Sequence, residues 1–177
     1  ENIIVGVDSY SDHPQSVVDA AQSGRIAVVG TYTSPSFELI MGTNPDVVFA
    51  DSSQRSHAVM MEQLRDSGVD SVLLYPGEDL ESIMDNIFIV GTVINYELAA
   101  EEVIDDTYEV IDILAEHVFT PDAGGNVDVM ISLEPDISPW VSGADTYISS
   151  ISELFNSTNV FSEWGGWVHV TSDRIPY

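Results

Sequence analysis

Cysteine is absent from the 177 residues, so disulfides and thiol chemistry are excluded and the redox compartment is left open. Lysine is absent as well. Arg25, Arg55, Arg65 and Arg174 supply the whole basic count of 4 against 30 acidic residues, a formal net charge of −26. A surface of that sign repels nucleic acid and anionic membranes, which excludes DNA and RNA as partners. No run approaches the ~20 consecutive apolar residues of a membrane-spanning helix. Nor is there a signal-peptide pattern: Glu1 leads straight into an apolar strand, so the sequence reads as mature, trimmed, or both. Nucleophile elbow, phosphate loop and dinucleotide fingerprint are all lacking. His13, His57, His117 and His169 are scattered, with no i, i+4 pair to hold zinc or manganese. Ser11, Asp12 and His13 adjoin, but a catalytic triad needs a geometry that adjacency along a loop does not supply. The expectation is a protein without catalytic residues, metal centre or resident cofactor.

What is present suits a folded chain. An apolar fraction of 44% is enough for a core, and the length suits one domain or two small lobes. Self-repulsion at this charge destabilises the compact state unless salt screens it, and the Debye length falls to about 3 Å at 1 M. A high-salt habitat or an exposed cell-surface location is expected.

From Ile3 to about Val90, short apolar strands alternate with helical stretches. The strands are "IIVGV" (Ile3–Val7), "IAVV" (Ile26–Val29), "DVVFA" (Asp46–Ala50) and "SVLLY" (Ser71–Tyr75). The clearest helix is "SHAVMMEQLRDSG", with Gly68 as its stop. Continuous apolar strands between amphipathic helices predict a parallel sheet covered on both faces. Asn95 to Phe119 then runs without Gly or Pro. Leu98, Val103, Ile104, Ile111, Leu114 and Val118 form its apolar stripe, with Glu97, Glu101, Asp105, Asp112 and Glu116 off it. Asn95 is the expected N-cap and "TPDAGG" the end. About 23 helical residues span roughly 35 Å. A second α/β pattern follows, with a strand at Val127–Leu133 and a helix at Thr146–Phe155. The predicted organisation is an N-terminal lobe over 1–94, a linker helix over 95–119 and an incomplete C-terminal lobe over 120–177.

Open parallel sheets bind ligands beyond the carboxyl ends of their strands. The loops there are "DSYSDHP", "GTYTSPS" (Gly30–Ser36), "DSSQRS" (Asp51–Ser56) and, in the second half, "EPDISPWVSG" (Glu134–Gly143), joined by "EWGGWVHV" (Glu163–Val170). These segments hold Tyr10, Tyr32 and all 3 Trp. Each ring alone reads more readily as local packing. Together they suggest a cleft lined with flat apolar surface for a large conjugated or macrocyclic ligand. "FNSTN" (Phe155–Asn159) also contains a short N-glycosylation acceptor pattern.

"VGVDSYSDHP", "VGTYTSPSFELIMGTNPDVVFA", the long helix, "WVSGADTYISSISELFNSTNVF" and "WVHVTSDRI" together resemble the helical-backbone substrate-binding proteins of ABC importers. The likeness is strongest to the cobalamin-binding type, with ferric-siderophore and haem binders as cousins. It implies an α/β fold of two small lobes with parallel sheets, joined by one long interdomain helix, with the ligand held between them. It implies that Tyr10 and Tyr32 line the cleft from the first lobe and Trp140 and Trp167 from the second. It implies docking to a permease through one carboxylate per lobe, Glu38 and Asp173, the second standing where the family normally has Glu. A first-turn helix acid favoured by the dipole is an equally good reading of Glu38. The resemblance further implies that the family's first strand and its ligand loop precede Glu1, and that its last strand and helix follow Tyr177.

Ferric catecholates and haem are anionic, and binders usually meet them with Arg or Lys. Arg55 alone is well placed for that, and the net charge opposes an anionic ligand. The expected ranking is therefore corrinoid first, ferric siderophore second and haem third. The expected partners are that ligand and an ABC permease, with the intact protein lipid- or membrane-anchored and extracellular or periplasmic at the cell surface. A cell-surface binding or adhesion module without transport is the alternative.

Overall fold

Short parallel ladders with helical crossovers organise most of the chain. The computed structural model describes residues 3–118, 127–134, 136–155 and 157–171. The chain divides into two compact units, Glu1–Pro76 and Gly77–Tyr177.

In the first unit the order is β1 (Gly6–Val7), α1 (Gln15–Gln22), β2 (Ala27–Val28), β3 (Gly30–Thr31), β4 (Ser34–Pro35), α2 (Phe37–Gly42), β5 (Val47–Asp51), α3 (Arg55–Asp66) and β6 (Asp70–Leu74). Strands β1 and β2 pair in parallel, as do β5 and β6, while β3 and β4 form a small antiparallel hairpin. The expected sheet is thus split into two-stranded pieces. Its core is made by Ile40, Met61 and Leu64, against which Val29, Val48 and Leu73 pack. Helix α3 stops as its sequence predicts. Gly68 takes a positive φ of 84°, and the amides of Gly68 and Val69 close back on Arg65 and Leu64.

The second unit contains α4 (Leu80–Val93), α5 (Glu97–Val118), β7 (Val127–Val129), β8 (Trp140–Ser142), α6 (Tyr147–Leu154), β9 (Ser157–Asn159) and β10 (Trp167–His169). Strands β7 and β9 are parallel, whereas β8 and β10 are antiparallel. Thr146 caps α6, its hydroxyl accepting from the Ser149 amide at 3.3 Å.

The long helix departs from its sequence reading in two ways. Asn95 is not its N-cap. With φ of 59°, Asn95 ends α4 in a left-handed turn, where the Tyr96 amide reaches the Gly91 carbonyl at 2.7 Å and the Asn95 amide reaches Thr92 at 3.2 Å. The packed face also differs from the predicted stripe. Ala100 is buried and Ile104, Thr107, Ile111 and Ala115 are half-buried, while Leu98, Val103 and Leu114 are exposed. The reason is close approach: a Cβ on Gly91 of α4 would lie 2.4 Å from the Ala100 Cβ. Small residues therefore choose the face. Phe119, the "TPDAGG" helix end, Asn156, Asp173, Arg174 and the side chain of His117 lie outside the described residues.

Candidate functional site

The first unit's candidate loops follow strands β1, β2 and β5, the second of them forming the β3–β4 hairpin, and hydrogen bonds join them. In the first, the Asp8 carboxylate accepts from the Tyr10 amide at 2.7 Å and the Ser11 hydroxyl at 3.3 Å, and Tyr10 is 71% exposed. The His13–Pro14 peptide bond that closes this loop is cis. The Ser9 amide donates to the Gly30 carbonyl at 2.9 Å, tying the first loop to the second.

The second and third loops meet through Tyr32, Asp51 and His57. The Tyr32 hydroxyl donates to Asp51 Oδ2 at 2.5 Å, and the Ser53 amide and hydroxyl each donate to the same carboxylate at 2.7 Å. Burial pushes the Asp51 carboxyl up, but the Tyr32 and Ser53 hydrogen bonds and the neighbouring His57 together hold it below the usual carboxylate value. For Tyr32, burial and then the bond to Asp51 push the phenol up. A group whose folded pKa is raised stabilises the fold below its unfolded value, about 10 for Tyr, and loses that contribution as pH rises through the folded value. Wild-type protein should therefore lose stability relative to Tyr32→Phe between pH 8 and pH 11, measured by chemical denaturation. A constant difference across that range would refute the link.

Arg55 begins α3 and is exposed. With Thr33, Ser34, Pro35, Ser56, Val59, Met60 and Gln63 it lines an open groove of about 400 Å³. Tyr32 is not part of that lining. Glu38 sits in the first turn of α2, capped by Ser36, whose hydroxyl also reaches Glu38 Oε2 at 3.4 Å.

In the second unit, Trp140 and Trp167 stand on strands, not in the irregular loops that their Gly- and Pro-rich surroundings suggest. On β8 and β10 Val141 pairs with Val168, and Val141 forms a core with Phe161 and Val170 against which Val168 packs. The alternation of a strand puts Trp140, Trp167 and His169 on the opposite face. Trp140 faces His169 across the ladder with ring centroids 5.4 Å apart, and Trp140 is 44% exposed. Trp164 belongs to the packing instead: its ring lies 5.5 Å from Phe161 beside that core.

A buried polar knot fixes these strands. Asn159 donates from Nδ2 to the carbonyls of Ser142 at 2.7 Å and Gly143 at 3.3 Å, and to Ser149 Oγ at 3.2 Å, while its Oδ1 accepts from the Phe161 amide at 3.0 Å. Ser142 and Thr146 share a hydrogen bond between their hydroxyls. Tyr10, Tyr32, Arg55 and Glu38 thus lie in the first unit, and Trp140 and Trp167 in the second. Sequence reasoning did not single out Asp51, His57, His169 or Asn159 as site-forming. A signal existed only for Asp51, which opens a strand-end loop. Among the described residues, no cluster of His, Asp and Glu is arranged to hold a metal ion, and no helix is long and apolar enough to cross a membrane.

The sequence signature of the family described as "Periplasmic binding protein" matches residues 1–176, and the chain belongs to that family. An uncharacterized ABC transporter substrate-binding lipoprotein, YvrC of Bacillus subtilis, is 22% identical over 173 residues, covering 97% of this chain and 53% of the relative. The chain thus spans about half the length of that relative. Among solved structures, the periplasmic haem-binding protein BhuT in complex with two haems is 20% identical with a TM-score of 0.77, over 96% of this chain and 62% of that one. The periplasmic vitamin B12-binding protein BtuF of Vibrio cholerae is 17% identical with a TM-score of 0.71, over 96% and 62% respectively. The fold is the α/β fold of these two-lobed binding proteins.

Proposed function

We propose that this member of the periplasmic binding protein family serves an ABC importer outside the cytoplasm, capturing a large metal chelate of the corrinoid type for delivery to a permease. The observation that carries the reading is the strand face bearing Trp140 and Trp167, turned away from the core that the same strands build with Val141 and Val168. An exposed tryptophan on an ordered strand offers flat apolar area at little entropic cost. Tyr10, Tyr32 and Arg55 are the ligand contacts proposed from the first unit, and Glu38 and Asp173 the permease-docking acids. The likeness to YvrC, an uncharacterized substrate-binding lipoprotein of an ABC transporter, supports the importer reading, the extracellular location and a lipid anchor.

Two features favour a corrinoid over haem or a ferric siderophore. The Tyr32 phenol already donates to a carboxylate and is pushed toward its neutral form, which opposes its use as a phenolate ligand to ferric iron. The net charge of −26 against four arginines opposes an anionic guest. A binding role also fits the lack of any nucleophile-and-base pair among the motifs.

The test is a titration of intrinsic tryptophan fluorescence with cyanocobalamin, a ferric siderophore and haemin. All 3 Trp lie in the second unit, so quenching reports approach to that unit. Cyanocobalamin alone should quench. Trp140→Ala and Tyr32→Ala should each weaken its affinity by about 1–3 kcal/mol, or 5- to 150-fold. Quenching by haemin or the siderophore alone would replace the corrinoid, and unchanged affinity in both variants would remove the ring-lined site.

A further inference from the structure

His57 is buried on α3, yet both of its ring nitrogens meet backbone carbonyl oxygens: Nδ1 that of Asp51 at 3.1 Å and Nε2 that of Tyr32 at 2.5 Å. A carbonyl oxygen can only accept, and a neutral imidazole carries a single N–H. Both contacts are therefore satisfied only by the doubly protonated, cationic ring. Loss of one proton would set a ring lone pair against a carbonyl lone pair in a buried place, where an unmet polar contact costs most.

The surroundings fit a cation. The Asp51 carboxylate, which accepts from Tyr32 and Ser53, supplies the counter-charge. The Tyr32 ring stands edge-on to the imidazole, with centroids 5.2 Å apart and planes at 86°. From the β3–β4 turn the titratable group facing the ring is Tyr32, and from β5 it is Asp51. On α3 itself the nearest charge along the chain is Arg55, two residues earlier. The result is a closed figure. His57 joins the backbones of the second and third loops, and the Tyr32 hydroxyl joins the same loops through Asp51.

We propose that His57 is a positioning residue: with a proton on each nitrogen its ring clamps the Tyr32 loop to the end of β5, and ligand capture through Tyr32 depends on that clamp. The effect on capture rests on the reading of Tyr32 as a ligand contact, whereas the clamp itself does not.

Two measurements separate them. In the unliganded protein, nitrogen-15 NMR of the His57 ring should show both nitrogens protonated, and the Tyr32 ring signals should shift in His57→Gln. One bare nitrogen, or a Tyr32 signal indifferent to His57, overturns the clamp whatever the protein binds. Cyanocobalamin affinity, followed by tryptophan fluorescence, should fall about tenfold from wild type to His57→Gln. Unchanged affinity in His57→Gln overturns the effect on capture. Failure of cyanocobalamin to bind would sink the corrinoid reading, while the ring measurement still decides the clamp.

Discussion

Gly143→Ala is expected to destabilise the second unit by about 3 kcal/mol, as core overpacking of this severity does. A Cβ at residue 143 would lie 2.1 Å from the Trp164 carbonyl oxygen and 2.9 Å from that of Gly166. Both obstacles are backbone, so neither can rotate aside. The same backbone is stitched by hydrogen bonds from Gly143 N to Gly166 O at 2.8 Å, Ala144 N to Trp164 O at 2.6 Å and Gly166 N to Ala144 O at 2.7 Å. A shift large enough to admit a methyl breaks these bonds together and loosens the approach of β8 to β10. Because every tryptophan lies in this unit, thermal unfolding followed by tryptophan fluorescence isolates the effect. The expected result is an early tryptophan transition and weakened cyanocobalamin quenching. A variant that melts like wild type would mean that the segment relaxes freely, and that Gly143 does not set the geometry of the Trp140–Trp167 face.

The contrast between Gly143 and Gly68 shows what the sequence carries and what it does not. Gly68 closes a periodic helical pattern, so its role is local and legible. Gly143 matters because of residues more than twenty positions away, and nothing beside it says so. The same divide runs through the site. Apolar runs ending in polar, Gly- and Pro-rich loops locate the surfaces bearing Tyr10, Tyr32 and Arg55, since strand periodicity is local. The link between Tyr32 and His57 spans 25 residues and depends on how β5 and the hairpin meet, so a lone histidine on a helix gave no hint of it. Asn95 failed for another reason. Its short amide side chain suits a helix start and a left-handed helix end equally well, and the tight Gly91–Ala100 approach decides between them. The Trp-bearing strands were misread as loops because three residues are too few to show alternation.

Thermal stability should rise steeply with sodium chloride, by several kcal/mol of unfolding free energy between 0.1 M and 1 M. Two like charges about 10 Å apart in water repel by about 0.15 kcal/mol at a Debye length of ~10 Å, and by roughly a tenth of that at ~3 Å. The gain per pair is small, but an excess of 26 negative charges supplies many such pairs. The unfolded chain gains less, because its charges are further apart. Helix α5 concentrates the effect. Glu97, Glu101, Asp105 and Glu109 follow one another at i, i+4 spacing, as do Glu102 and Asp106, with no Lys or Arg anywhere in the helix. Each such like-charge pair costs a helix about 0.2–0.5 kcal/mol at low salt. Glu101→Gln with Asp105→Asn removes the charge from the middle of the longer run. The double variant should be more stable than wild type in 0.1 M salt and indistinguishable from it in 1 M. Potassium chloride should act as sodium chloride does, because screening depends on ionic strength and not on the cation. A flat salt response in wild type, or a gain in the double variant that persists undiminished at 1 M, would show that repulsion is not what limits this fold.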